Sequence, residues 1–249
     1  MEIANETRRK LREMGANDLA NAFLAQDDDI FIGMPCAERL QVAVDEAYST
    51  FITQKVVSLV SRARLRYPDA DMRSLDYDEK RGLDRTMIAE LSSCTYIDRA
   101  TNVVLHGLTG TGKSYLACAL AKEACRHRLR TSYIRVPDLF DKWLEVKEKP
   151  NGTRKLIRKY AAFSVLVLDE WLLDKPDDGF CSVLFELMEM RYGKGATIFC
   201  TQYRNKDWHA RLGGDVRADA IMDRIVHNAI YVEMGDFNMR KKYGGSYSS

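Results

Sequence analysis

Apolar residues recur at helical spacing through the first quarter of the chain and in short unbroken runs after it. Leu11, Met14, Leu19, Phe23 and Leu24 predict helices over residues 8–13 and 17–26, with Gly15 as the break between them. An acidic turn, Asp27, Asp28 and Asp29, follows. Residues 36–66 read as one long helix, with Leu40, Val44, Ala47, Phe51, Val56, Leu59 and Val60 on the inward face. Tyr67-Pro68-Asp69 stops it, because proline restricts the residue before it and cannot continue the hydrogen-bond ladder. The pattern therefore divides the chain into a helical N-terminal domain, residues 1–70, and a second domain, residues 71–249.

Beyond that point strands and helices alternate. Strands are predicted over residues 101–106, 131–136, 161–168, 195–200 and 230–234, and helices near 85–92, 115–128, 137–145 and 180–192. The run ending Val165-Leu166-Val167-Leu168 is almost wholly apolar, as a parallel strand covered on both faces should be. The expected fold is α/β, a five-stranded parallel sheet sandwiched by helices.

The first two elements of that sheet enclose the strongest motif. Gly107-Leu108-Thr109-Gly110-Thr111-Gly112-Lys113-Ser114 fits G-x-x-x-x-G-K-[ST] at every fixed position, between a strand and a helix beginning near Tyr115. Such a loop turns backbone N–H groups toward phosphates at a helix N-terminus, where the dipole favours anions. Lys113 reaches the β/γ oxygens and Ser114 offers a hydroxyl to Mg²⁺. The chain is expected to bind ATP through residues 107–115.

Composition narrows the class. The 249 residues are 46% hydrophobic and 30% charged, with net charge +2, as in an ordinary globular protein. No apolar run approaches the roughly 18 residues that span a bilayer, so no membrane partner is expected. The first residues lack a signal-peptide apolar core, which predicts a cytoplasmic protein. The six cysteines form no C-x-x-C pair, against metal ligation or a disulfide framework. Charge is patchy. Arg62, Arg64, Arg66 and Arg73 form one basic group; Lys142, Arg154, Lys155, Arg158 and Lys159, with Lys147 and Lys149, form another. Either group has a second reading as a solvated helix face.

Asp169-Glu170 ends the apolar third strand, where open α/β sheets place their ligands. Asp169 is expected to hold Mg²⁺ with Ser114, and Glu170 to act as general base on the attacking water. The alternative is that both acids cap the next segment. Thr201-Gln202 ends the fourth strand, placed either to orient that water against the γ-phosphate or to make local backbone bonds. A water-activating glutamate and a strand inserted between Ser114 and Asp169 both argue against a metabolite kinase.

GLTGTGKSYLACAL (residues 107–120), LVLDEW around Asp169, Trp208-His209 and ADAIMDRIVHN (residues 218–228) closely resemble the IstB-like ATPases. These are encoded beside the transposase in bacterial insertion sequences and are similar to DnaC-type helicase loaders within the AAA+ superfamily. The resemblance covers nearly the whole chain. It implies that Arg224 is an arginine finger inserted into a neighbouring subunit's site, the alternative being an ion pair with Asp223 or Asp219. It implies that Arg240 is a second sensor arginine acting in its own subunit, or else a basic tail residue beside Lys241 and Lys242. Trp208 and His209 are expected in a core or helix-start role. Many family members carry Asp-Asp-Trp-Gly where this chain has Asp169-Glu170-Trp171-Leu172, so the loop beyond the glutamate is expected to differ in shape. The function implied is an ATP-dependent transposition helper. It oligomerises on double-stranded DNA through the Lys142–Lys159 region and recruits or stimulates its cognate transposase. The alternative is a helicase loader.

Overall fold

The computed structural model describes residues 5–27, 30–31, 33–77 and 81–243; Asp28 and Asp29 of the predicted acidic turn and the tail from residue 244 lie outside them. The chain divides into two compact units, Met1–Ser58 and Leu59–Ser249. The first holds α1 (Asn5–Glu13), α2 (Asn17–Leu24) and the greater part of α3 (Cys36–Ala63). The long helix ends earlier than its proline suggested. Arg64 adopts a left-handed conformation (φ 55°) directly after Ala63, a usual way to terminate a helix.

The inward face predicted for α3 is only partly inward. Leu40 (48%), Val44 (45%) and Phe51 (53%) are exposed, whereas Ala43 and the last-turn residues Leu59 and Ala63 are buried. The spacing was that of a helix, but spacing does not reveal whether a partner element covers the stripe. Leu59 and Ala63 are buried because they join the core of the second unit.

In that unit, α4 (Arg85–Ser92) and α5 (Thr95–Asp98) precede β1 (Asn102–His106), and α6 (Lys113–Arg126) follows it. Then come β2 (Thr131–Arg135), α7 (Val136–Leu144), α8 (Gly152–Ala161), β3 (Val165–Asp169), α9 (Asp178–Arg191) and β4 (Ala196–Thr201). The chain continues through α10 (Asn205–Arg211), α11 (Val216–Val226), β5 (Ala229–Glu233) and α12 (Met239–Tyr243). The five strands are parallel, in the order β2-β3-β4-β1-β5, with Val103 opposite Ile198, Val167 opposite Ile198 and Val104 opposite Tyr231. This is the α/β architecture expected. The predicted third strand was too long at its start: Ala161 closes α8, a helix of its own, and pairing begins at Val165.

Alternation along the strands sends successive side chains to opposite faces. Val103, Leu105, Val165, Val167 and Ile198 face α6, whose Ala117, Ala121 and Ala124 allow close approach. Val104, Leu166, Leu168 and Phe199 face α9, α10 and α11. Trp208 anchors this second layer. It is fully buried, donates its indole N–H to the Tyr203 carbonyl (2.9 Å) and lies edge-on to Trp171 with centroids 5.9 Å apart. Its expected core role is the observed one; its neighbour His209 instead lies 3.1 Å from Asp219. Trp208→Ala should cost about 3–5 kcal/mol, read from the denaturant midpoint. A loss below 1 kcal/mol would show that this layer collapses freely.

Among the described residues no helix is long and apolar enough to cross a membrane. All cysteines other than the exposed Cys36 are buried and free, in keeping with small core residues.

Candidate active site

β1 delivers Gly107 to the C-terminal edge of the sheet, where its N–H meets the Thr201 carbonyl at 3.3 Å. The loop that follows depends on its glycines. Gly110 (φ 89°) and Gly112 (φ 93°) are left-handed, and a Cβ on Gly110 would strike the Asn238 amide. α6 begins at Lys113, leaving its first N–H groups available to an anion. Lys113 Nζ donates to the carbonyls of Gly107 and Leu108, each at 2.7 Å, so the ammonium sits in the mouth of the loop. Burial pulls its pKa below the usual lysine value, partly opposed by Cys200 and Asp169.

A cavity of about 470 Å³ opens beside this loop, within the range of small-molecule sites. Gly110, Gly112, Lys113, Ser114 and Tyr115 form one wall; Tyr67, Ser74, Asp76, Arg81, Met239 and Arg240 form the others. Tyr115 is held by Ser74 Oγ (3.0 Å), and the Met239 N–H binds the Gly110 carbonyl (2.8 Å). The start of α12 thus rests on the phosphate loop, and Arg240 lines the cavity instead of trailing free of it. Leu108 and Thr109 form the exposed tip of the loop, while Thr111 is buried and bonds the Leu108 carbonyl through its hydroxyl.

The carboxylates lie at the end of β3. Asp169 is buried, accepts from the Tyr133 hydroxyl (2.5 Å) and accepts the Glu170 N–H at 2.9 Å. Glu170 (φ 59°) and Leu172 (φ 56°) are both left-handed, an arrangement of order 1 kcal/mol or more for non-glycine residues. That double turn lets Trp171 enter the core, its backbone N–H donating to the Cys200 carbonyl at 2.8 Å, while Glu170 stays half-buried beyond the end of the strand. Arg135, at the end of β2 and in register with Asp169, forks onto Glu170 Oε2 through Nε (3.0 Å) and Nη2 (2.9 Å). Arg66 Nη1 approaches both carboxylates, 3.4 Å from Glu170 and 3.9 Å from Asp169.

The two strand-end residues separate in role. Thr201 is buried, donates to the Trp171 carbonyl and accepts the Tyr203 N–H, both at 3.1 Å, so its hydroxyl is engaged in local backbone bonds. Gln202 accepts from Thr109 of the phosphate loop at 2.9 Å, which brings its amide to the phosphate edge.

Arg224 lies elsewhere. Its carbonyl accepts from the side chain of Asn102, the first residue of β1, which places it at the sheet edge opposite the loop. Its guanidinium pairs with Glu189, donates to the Ala220 carbonyl (2.8 Å) and covers the Phe185 ring at 5.2 Å. Neither alternative partner named from sequence holds it: Asp219 faces His209 and Asp223 faces His227.

α8 turns Leu156, Ile157 and Tyr160 inward and leaves Arg154, Lys155, Arg158 and Lys159 exposed together, with half-buried Lys142 on the preceding α7. No ion pair between these four cations and a carboxylate is found among the described residues.

The residues present fit a triphosphate with its divalent cation: a glycine-permitted cradle, a buried lysine, a hydroxyl at a helix start and a buried carboxylate. Among the described residues no group of three or more His, Cys, Asp or Glu could hold a metal ion alone. Sequence reasoning did not find Arg135, Tyr133 or Arg81, and named Arg66 only as part of a basic patch. Arg81 is buried and reaches the Thr111 carbonyl at 3.4 Å. For Arg135 a signal existed, since it is the one charged residue of the predicted strand 131–136 and stands next to its C-terminal end, where open α/β sheets place their ligands.

Comparison with known proteins agrees with this geometry. The chain is 33% identical over 243 residues to a putative insertion sequence ATP-binding protein, y4pL, of Sinorhizobium fredii, covering 96% of this chain and 97% of that one. The putative ATP-binding protein of insertion sequence IS21 from Pseudomonas aeruginosa is 26% identical over 205 residues, 82% of this chain and 77% of that one. In fold, the chain is similar to a DnaC helicase loader, with a TM-score of 0.57 at 17% identity, over 68% of this chain and 98% of that chain. It is likewise similar to the replication initiator DnaA bound to AMPPCP and single-stranded DNA, with a TM-score of 0.58 at 20% identity, over 72% and 54% of the two chains. Those likenesses show the fold, a five-stranded parallel sheet covered by helices. With the model of the IstB-like ATP binding proteins matching residues 9–245, the chain belongs to that family.

Proposed function

We propose that this protein is a Mg²⁺-dependent ATPase that assembles on double-stranded DNA and serves a transposase of its insertion sequence in the bacterial cytoplasm. The observation that carries this reading is the position of Arg224. It stands at the end of the sheet opposite Lys113, so the chain holds a nucleotide site at one end and, at the other, a guanidinium held in a partly exposed pair with Glu189 that such a site could take up. Head-to-tail stacking of copies completes each site with the next subunit's arginine, and such a heterologous contact propagates into a ring or spiral.

In the nucleotide half, the loop N–H groups and Lys113 bind the phosphates, while Tyr115, Met239 and Arg240 flank the cavity. Ser114 and Asp169 would hold Mg²⁺, which supplies charge neutralisation when bound. Glu170 takes the proton of the attacking water and Gln202, beside Thr109, orients it. Arg224 of the neighbouring copy stabilises charge on the γ-phosphate. The local bonding of Thr201 favours a positioning role for it beneath Gln202.

The cation face of α8, assisted by Lys142, is the DNA-facing element of this reading. It bears no carboxylate between Gly152 and Ala161 and suits phosphate contacts without base readout. Replacing Arg154, Lys155, Arg158 and Lys159 by alanine should weaken duplex binding at least tenfold at moderate salt and flatten its salt dependence, with ATP binding retained. Affinity and salt slope that match the unaltered protein would remove α8 from the interface. A helicase-loader role shares the same ATPase core. The insertion-sequence relative that spans nearly the full chain favours the transposition role.

A further inference from the structure

We propose that Arg66 is a positioning residue that competes with the divalent cation for Asp169 and Glu170, holding the two carboxylates in place until the metal displaces it. The proposal rests on the reading of those carboxylates as the hydrolytic pair. A buried carboxylate such as Asp169 needs a compensating charge or hydrogen bonds. Here one nitrogen, Arg66 Nη1, lies within 4 Å of an oxygen on each acid, where a single cation serves both.

The contact is built to release. Its distances, 3.4 and 3.9 Å, exceed those of full charge-assisted hydrogen bonds, whereas the Arg135 fork on Glu170 is at 2.9 and 3.0 Å. The Arg66 side chain is 39% exposed, so it enters water when it leaves and strands no buried charge. The backbone beneath it is fastened to the ATPase unit. Leu65 and Ala70 are buried, Lys122 Nζ donates to the Pro68 carbonyl at 2.9 Å, and the Tyr67 ring lies against Tyr115. Movement is thereby confined to the side chain. Two cations competing for one carboxylate pair weaken each other reciprocally.

The test is a Mg²⁺ titration of full-length Arg66→Gln and Arg66→Lys. Binding of a fluorescent N-methylanthraniloyl-ADP and thermal unfolding are the readouts, beside ATP hydrolysis. For Arg66→Gln the Mg²⁺ concentration at half-maximal binding should fall about fivefold or more. Its melting temperature should drop in EDTA and recover in Mg²⁺, and Arg66→Lys should stay near the unaltered protein. Equal destabilisation with and without Mg²⁺, or weaker nucleotide binding at an unchanged Mg²⁺ midpoint, would overturn the proposal. In that case Arg66 would be structural or phosphate-binding. An unaltered protein that binds nucleotide without regard to Mg²⁺ would overturn the underlying reading of Asp169 as well, whereas a Mg²⁺-dependent one with an unshifted variant removes the Arg66 role alone.

Discussion

Lys113→Ala is expected to abolish ATP binding, while Glu170→Gln keeps binding and lowers turnover by about 10²–10⁴-fold, the usual contribution of a positioned general base. The two variants separate because the groups stand on different atoms of the site. Lys113 fills the mouth of the phosphate loop from within, bonded to the Gly107 and Leu108 carbonyls. Without its charge, the loop offers only backbone N–H groups to a polyanion. Glu170 stands apart from it, with Arg135 and Arg66 as its partners at the end of β3. Exchange for glutamine retains the shape of the side chain and removes its basicity. Nucleotide titration by fluorescence and phosphate release at saturating ATP check the pair. A Glu170→Gln protein with near-normal turnover would remove Glu170 from the chemistry.

Arg224→Ala should leave ATP affinity within about twofold and reduce hydrolysis by about 10³-fold or more, the scale of arginine fingers in related NTPases. The effect reaches the nucleotide only across a subunit boundary, so it should be rescued in mixtures. A Lys113→Ala copy binds no ATP but carries an intact Arg224, and placed beside an Arg224→Ala copy it completes that copy's site. Mixing the two inactive proteins should therefore restore a measurable fraction of phosphate release. Because Arg224 pairs with Glu189 within the chain, formation of the assembly must exchange that partner for phosphate. A partly exposed ion pair of this kind is worth little, so the exchange costs little. Unaltered hydrolysis in Arg224→Ala, or no rescue on mixing, would confine catalysis to a single chain.

Much of this was legible from local pattern. The phosphate loop, the five strands and the carboxylates after β3 are local signals, since each depends on a few consecutive residues and their period. What escaped was set by distance along the chain. Arg66 and Glu170 are 104 positions apart, and only the placement of β3 beside β2, with the turn after α3, brings Arg66 and Arg135 to one glutamate. The exposed stripe of α3 escaped for a related reason: period identifies a face but not what covers it. Thr201 and Gln202 looked equivalent as adjacent polar residues. Strand alternation sends the first toward Trp171 and leaves the second at the phosphate loop.

The most direct test is the structure of the protein assembled with duplex DNA and a non-hydrolysable ATP analogue. The expected result is a nucleotide lodged between two copies, Lys113 of one on its phosphates and Arg224 of the next within hydrogen-bonding distance of the γ-phosphate. A nucleotide enclosed by one chain, with Arg224 still paired to Glu189 at every contact between copies, would contradict the account.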